Sequence, residues 1–135
     1  MRSNRIWVLG LVSVALAIAS IGTVTTRAAA NEVRLRVQLA GATINGMTPK
    51  GKAEFRSRNN TNQFTVQVEN MNFPDGTVFN VAVNGQPLSQ QITIALLRGG
   101  FQLNTNDGDV VPAIGLGATV VVTDQAGATV LAGSF

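Results

Sequence analysis

From Glu32 onward the chain alternates apolar and polar side chains with period two, and that pattern excludes most folds. Val33, Leu35, Val37 and Leu39 alternate with Arg34, Arg36 and Gln38. Ala53 and Phe55 alternate with Lys52, Glu54 and Arg56. Phe64, Val66 and Val68 alternate with Thr65, Gln67 and Glu69, and Phe79, Val81 and Val83 with Asn80, Ala82 and Asn84. Shorter runs are Ile92, Ile94 and Leu96, then Phe101 and Leu103, then Val120 and Val122, and a last strand from Ala128 to Phe135. Successive strand side chains point to opposite faces, so each run reads as a strand with one buried face. No stretch of this region has a helical period.

Turn chemistry separates the runs. Asn45-Gly46, Asp75-Gly76, Asn84-Gly85 and Asp107-Gly108 supply residues that tolerate positive φ. Asn59-Asn60-Thr61-Asn62, Gly99-Gly100 and Gln125-Ala126-Gly127 are read the same way. The four prolines lie at run boundaries, where a missing N–H does least harm. About eight short strands with turns at this spacing predict an all-β antiparallel sandwich, immunoglobulin-like or related, over residues 31–135. Cysteine is absent, so the Cys…Trp…Cys core of true immunoglobulin domains is absent too.

The first thirty residues are different. Arg2 and Arg5 precede the uncharged apolar run Ile6–Ala19, and the segment closes on Ala28-Ala29-Ala30. A basic start, an apolar middle and small residues at the end are what a secretory signal peptide requires. Cleavage is expected after Ala30. The alternative is an uncleaved anchor, since Ile6 to Val24 is long enough to cross a bilayer. The protein is therefore expected to be secreted, periplasmic or at the cell surface. A membrane-spanning barrel is disfavoured, because residues 31–135 contain no Trp or Tyr from which to build aromatic girdles.

Composition excludes much chemistry. Without His or Cys there is no Ser-His-Asp triad, thiol nucleophile or thiolate metal site. Asp107 and Asp109 are the closest acidic pair, but a carboxylate hydrolase needs two acids converging on one cleft. No catalytic residue, enzymatic activity or cofactor is expected. Calcium is the one ion with candidate ligands, Asn104, Asn106, Asp107 and Asp109, because it favours carboxylate and amide oxygens from a flexible loop. Asn70, Asn72 and Asp75 form a weaker set.

Removing the signal also removes the basic balance. Residues 31–135 hold seven Lys+Arg and seven Asp+Glu, a formal charge of zero. Six of the seven basic residues lie between Arg34 and Arg58. If the first two strands turn their apolar residues inward, Arg34, Arg36, Lys52 and Arg56 share one outer face. Such a face attracts polyanions, or simply solvates the sheet and protects an edge. No aromatic interleaves with it, which argues against single-stranded nucleic acid.

Three pieces, Leu39-Ala40-Gly41, Gly51-Lys52-Ala53-Glu54-Phe55 and Phe64-Thr65-Val66-Gln67-Val68, resemble the opening half of the chordin-type (CHRD) domain, a secreted all-β module. The resemblance implies an exported β-sandwich and assigns no residue a role. The strand that carries histidine in that family reads Val78-Phe79-Asn80-Val81-Ala82-Val83 here.

The expected function is therefore non-enzymatic: a module of the cell envelope or exterior that binds another macromolecule, a protein or an acidic polysaccharide. The alternative is a self-associating structural or adhesive subunit. Intact-mass spectrometry of the naturally exported protein is expected to find a chain beginning at Asn31. A mass retaining Met1 in the membrane fraction would show the anchor instead.

Overall fold

Asn59 and Asn60 set the first long-range register. Both adopt left-handed backbone (φ 51° and 65°), which matches the natural twist of a two-residue hairpin. The turn joins β2 (Lys50–Arg58) to β3 (Thr61–Glu69) in an unbroken antiparallel ladder from Lys50↔Glu69 to Arg58↔Thr61. Phe55 stands opposite Phe64 in that ladder, and both are buried.

The computed structural model describes residues 32–135, and the expected signal segment 1–30 lies outside the described residues. The remaining strands are β1 (Glu32–Ala40), β4 (Val78–Val83), β5 (Gln86–Thr93), β6 (Gly99–Asn104), β7 (Thr119–Thr123) and β8 (Thr129–Ser134). One 3-10 turn, Thr105–Asp107, follows β6, and there is no α-helix among the described residues. The expected antiparallel strands are thus present. They form one eight-stranded sheet in the order β5-β4-β7-β8-β1-β2-β3-β6, rolled nearly into a barrel.

Every strand sends side chains into the interior. Leu39, Phe64, Phe79, Ile92, Leu103, Val120 and Leu131 join one apolar cluster, and no polar or charged residue is buried among the described residues. The charged side chains of β1 and β2 face outward, the reverse of what a lipid-facing barrel requires. The strand directions place the Asn59-Asn60 and Asn84-Gly85 turns, the segment 105–118 and Phe135 at one end, called the upper end. Loops 41–49, 70–77, 94–98 and 124–128 lie at the lower end. Met71 and Ile94 are buried there, and Phe73 packs edge-on against Phe79 at 4.9 Å. Val111, Ile114 and Phe135 pack on the core from above.

The two outer strands of the ladder, β5 and β6, meet only at the lower end. Ala95 and Arg98 exchange backbone hydrogen bonds around a turn made by Leu96 and Leu97. This corrects two expectations. Leu96 does not continue an inward-facing strand; it is the turn apex and is 81% exposed. Nor are Gly99 and Gly100 a turn; they open β6 and pair with Val68 and Gln67. A Cβ on Gly100 would lie 2.5 Å from the Val66 carbonyl oxygen, and one on Gly99 2.6 Å from Ile92 Cγ2. These glycines serve close strand approach. Both leucines are left-handed (φ 53° and 67°), a conformation that costs a residue with a side chain about 1–2 kcal/mol.

Strand β5 also begins earlier than its apolar residues suggest, directly after the Asn84-Gly85 hairpin turn. It carries Pro87 and a register shift opposite Asn80–Ala82, both suited to an outer strand. Val33, expected inside, is half exposed near the start of β1.

Gly100→Ala is expected to lower unfolding free energy by about 1–3 kcal/mol, because the obstructing atom is backbone. Gly115→Ala adds its Cβ into open space and is expected to stay within about 0.5 kcal/mol of wild type. Urea titrations of the two variants test this; equal effects would sink the close-approach account.

Candidate functional site

Outward positions on β1, β2, β3 and β6 form one continuous face, because the registers stack them in rows. Lys52 lies opposite Gln67, Glu54 opposite Thr65, and Arg56 opposite Gln63. Thr65 in turn lies opposite Gln102, and Gln63 opposite Asn104. The four basic residues expected to share a face, Arg34, Arg36, Lys52 and Arg56, do share it.

Glu54 organises the centre. Arg36 donates from Nε to Glu54 Oε2 at 2.8 Å, and Arg34 Nε lies 3.8 Å from the same oxygen. The Arg36 hydrogen bond holds the Glu54 carboxyl below the usual carboxylate range, with the charges of Arg36, Arg34 and Arg56 acting in the same sense and partial burial opposing them. Arg34 and Arg36 are thereby oriented by a shared carboxylate rather than left to sample solvent.

The face is wider than the alternation of single strands suggests. Along β2 the outward residues are Lys50, Lys52, Glu54, Arg56 and Arg58, a row roughly 27 Å long at the usual strand rise. Beside the row runs a shallow groove of about 570 Å³, lined by Arg36, Lys52 and Arg56 together with Gln38, Gln63, Gln67 and Gln102. A second hollow extends it downward past Lys50 to Arg98, and a third extends it upward past Arg58 to Asn106. Lys50, Arg58, Arg98 and the four glutamines were not among the expected site residues. The polar half of each alternating run was the signal that held the glutamines.

Charge is divided between the two halves of the barrel. All seven basic residues of 32–135 lie on β1, on β2 or just before β6. Strands β4, β5, β7 and β8 contain no charged residue, and their outward positions are largely Asn, Gln, Ser, Thr and Ala.

The calcium candidates cluster around the 3-10 turn at the upper end, and three of their side-chain oxygens accept hydrogen bonds within the fold. The Asn104 side-chain oxygen accepts from the Asn106 N–H at 2.8 Å. Asp109 Oδ2 accepts from the Asn104 N–H at 3.0 Å, and Asn106 Oδ1 accepts from the Thr61 hydroxyl at 3.3 Å. Gly108 closes the turn in left-handed conformation. In the second set, Asp75 Oδ1 accepts from the Leu96 N–H and the Asn72 amide donates to the Asn45 carbonyl, so these two side chains also take part in turn architecture. Among the described residues no three acidic side chains gather as a metal site.

A carboxylate with a lowered folded-state pKa stabilises the fold fully above its unfolded value, near 4.3 for Glu, and loses that contribution as pH falls through the folded value. Glu54→Gln is therefore expected to flatten the acid limb of the stability profile below about pH 4.5, with little change in its slope above pH 6. Denaturant midpoints measured from pH 7 to pH 2 test this; an unchanged acid limb would remove Glu54 from that role.

No protein-family model, curated protein or solved structure matches this chain.

Proposed function

We propose that the protein is an exported, non-enzymatic binding module whose contact surface is the basic, amide-lined face of β1, β2, β3 and β6, and whose partner is an acidic polysaccharide. The observation that carries this reading is the one-sided placement of every basic residue of 32–135 beside a row of glutamines. A polyanion gains from the summed potential of such a stripe. The glutamine amides beside the stripe both donate and accept hydrogen bonds, which suits sugar hydroxyls between the acidic groups.

The absence of Trp and Tyr from 32–135 favours a chain held by charge and hydroxyl contacts over one held by base stacking. Export rests on the N-terminal segment, and the chordin-type resemblance, carried by β1, β2 and β3, agrees with it. The apolar inward faces and polar outward faces support a water-exposed module, whether released or tethered.

Titration calorimetry with a size-defined uronic-acid oligosaccharide, and with a neutral glucan of equal length, tests the reading. Binding of the acidic chain alone is expected, weakening steeply with salt. Lys52→Gln combined with Arg56→Gln is expected to lower affinity by about tenfold, roughly 0.7 kcal/mol per cation. Equal binding of the neutral glucan, or no effect of the double variant, would overturn it.

A further inference from the structure

The lower end carries a projecting apolar knob beside an apolar hollow. The knob is Leu96 and Leu97, 81% and 37% exposed. The other two-residue turns with both positions left-handed are Asn45-Gly46, Asn59-Asn60 and Asn84-Gly85, all residues that tolerate that backbone. Leucine at both positions strains the turn, and Leu96, the more exposed of the two, recovers little of that cost by burial. The turn is nevertheless braced. The Leu96 N–H donates to Asp75 Oδ1 at 2.9 Å, and the Met71 N–H donates to the Leu97 carbonyl at 2.9 Å. A large apolar side chain, Leu96, is thus held out on a braced turn at an energetic cost, with Leu97 partly exposed beside it, a combination that marks contact sites.

The hollow is lined by Phe73, Gly76, Val78, Phe79 and Ala126, with a volume of about 550 Å³. The partly exposed Phe73 contributes apolar lining, and its ring rests edge-on against the buried Phe79 beneath it. Knob and hollow are adjacent: the Gly76 N–H donates to the Ile94 carbonyl, two residues before Leu96. Their charges are complementary, since Arg98 follows the knob and Asp124 borders the hollow.

We propose that two copies of this chain pair through their lower ends about a two-fold axis. Each copy seats Leu96 in the other's hollow and brings its Arg98 toward the other's Asp124. A two-fold contact uses one patch twice, so a patch that holds both a knob and a matching hollow is what it requires. A lipid surface fits less well: the neighbouring cations Lys50 and Arg98 are balanced by Glu69 and Asp75, and no interfacial Trp or Tyr is present in 32–135. The pairing surface meets the lower margin of the basic stripe at Arg98 but excludes Lys52 and Arg56, and it does not depend on the polysaccharide reading.

Sedimentation velocity on the protein as the exporting cell leaves it, from about 1 μM to 1 mM, reads the association directly. A concentration-dependent dimer is expected. Leu96→Asn with Leu97→Gly relieves the backbone strain, so it is expected to raise Tm by several degrees while weakening dimerisation at least tenfold. Ala126→Arg blocks the hollow and is expected to do the same to the dimer. An equimolar mixture of these variants restores one knob and one hollow per pair, and mixed dimers are expected to reappear. Lys52→Gln with Arg56→Gln is expected to leave the dimer intact. A monomer throughout the range, or a dimer that both lower-end variants leave unchanged, would overturn the proposal.

Discussion

Phe55 against Phe64 is the contact on which the rest of the sheet depends. The two residues are cross-strand partners in the hairpin, and their shared direction decides which face of β2 and β3 is inside. In a ladder of period two, a slip by one residue would exchange every inward side chain for an outward one. Phe55, Phe64 and Val66 would then meet water, and Lys52, Glu54 and Arg56 would enter the core. The desolvation of three charges makes that alternative prohibitive. The basic face is therefore a consequence of core packing as much as a feature of the surface.

Among the described residues no polar side chain is buried in the core to specify that arrangement, so specificity comes from the turns. Asn59-Asn60 and Asn84-Gly85 fix hairpin registers through their left-handed backbone. Asp124 accepts from the N–H groups of Ala126 and Ala128, which fixes the entry into β8. Asn84 accepts from the Thr119 N–H and ties the β4–β5 turn to the start of β7. Asp109 and Asn104 do similar work after β6. Polar side chains that look like ligand candidates along the sequence act here as local architecture, because a short side-chain oxygen beside unpaired backbone N–H groups is satisfied within its own loop.

Much of this was readable in the residues. Alternation located β1 through β4, and Asn45-Gly46, Asn59-Asn60, Asp75-Gly76 and Asn84-Gly85 located the turns that follow them. The shared outward face of Arg34, Arg36, Lys52 and Arg56 followed from assuming only that apolar residues point inward. What could not be read was whatever depends on a distant neighbour. Gly99-Gly100 looks like a turn because glycine permits one; its role against Val66 and Ile92 belongs to strands some thirty and seven residues away. Leu96 looks like a core residue because its spacing from Ile92 and Ile94 is right, and nothing local says that the chain reverses there. Whether eight strands make two sheets or one curled ladder depends on pairings among β8, β1 and the outer strands, which no single run encodes.

The junction of β5 and β6 is knit at one end only, so the fold behaves mechanically as a slit tube and not as a closed ring. A closed ring resists widening because every strand is held on both edges. A slit tube opens by a small change in curvature spread over all its strands, with the Leu96-Leu97 turn as the clasp at the foot of the slit. The upper part of β5 can thus fluctuate without breaking the β2–β3 ladder, which lies just beyond β6 across the slit. Strand β6 borders the slit on the other side, so the basic, amide-lined face reaches the open line of the barrel along one margin.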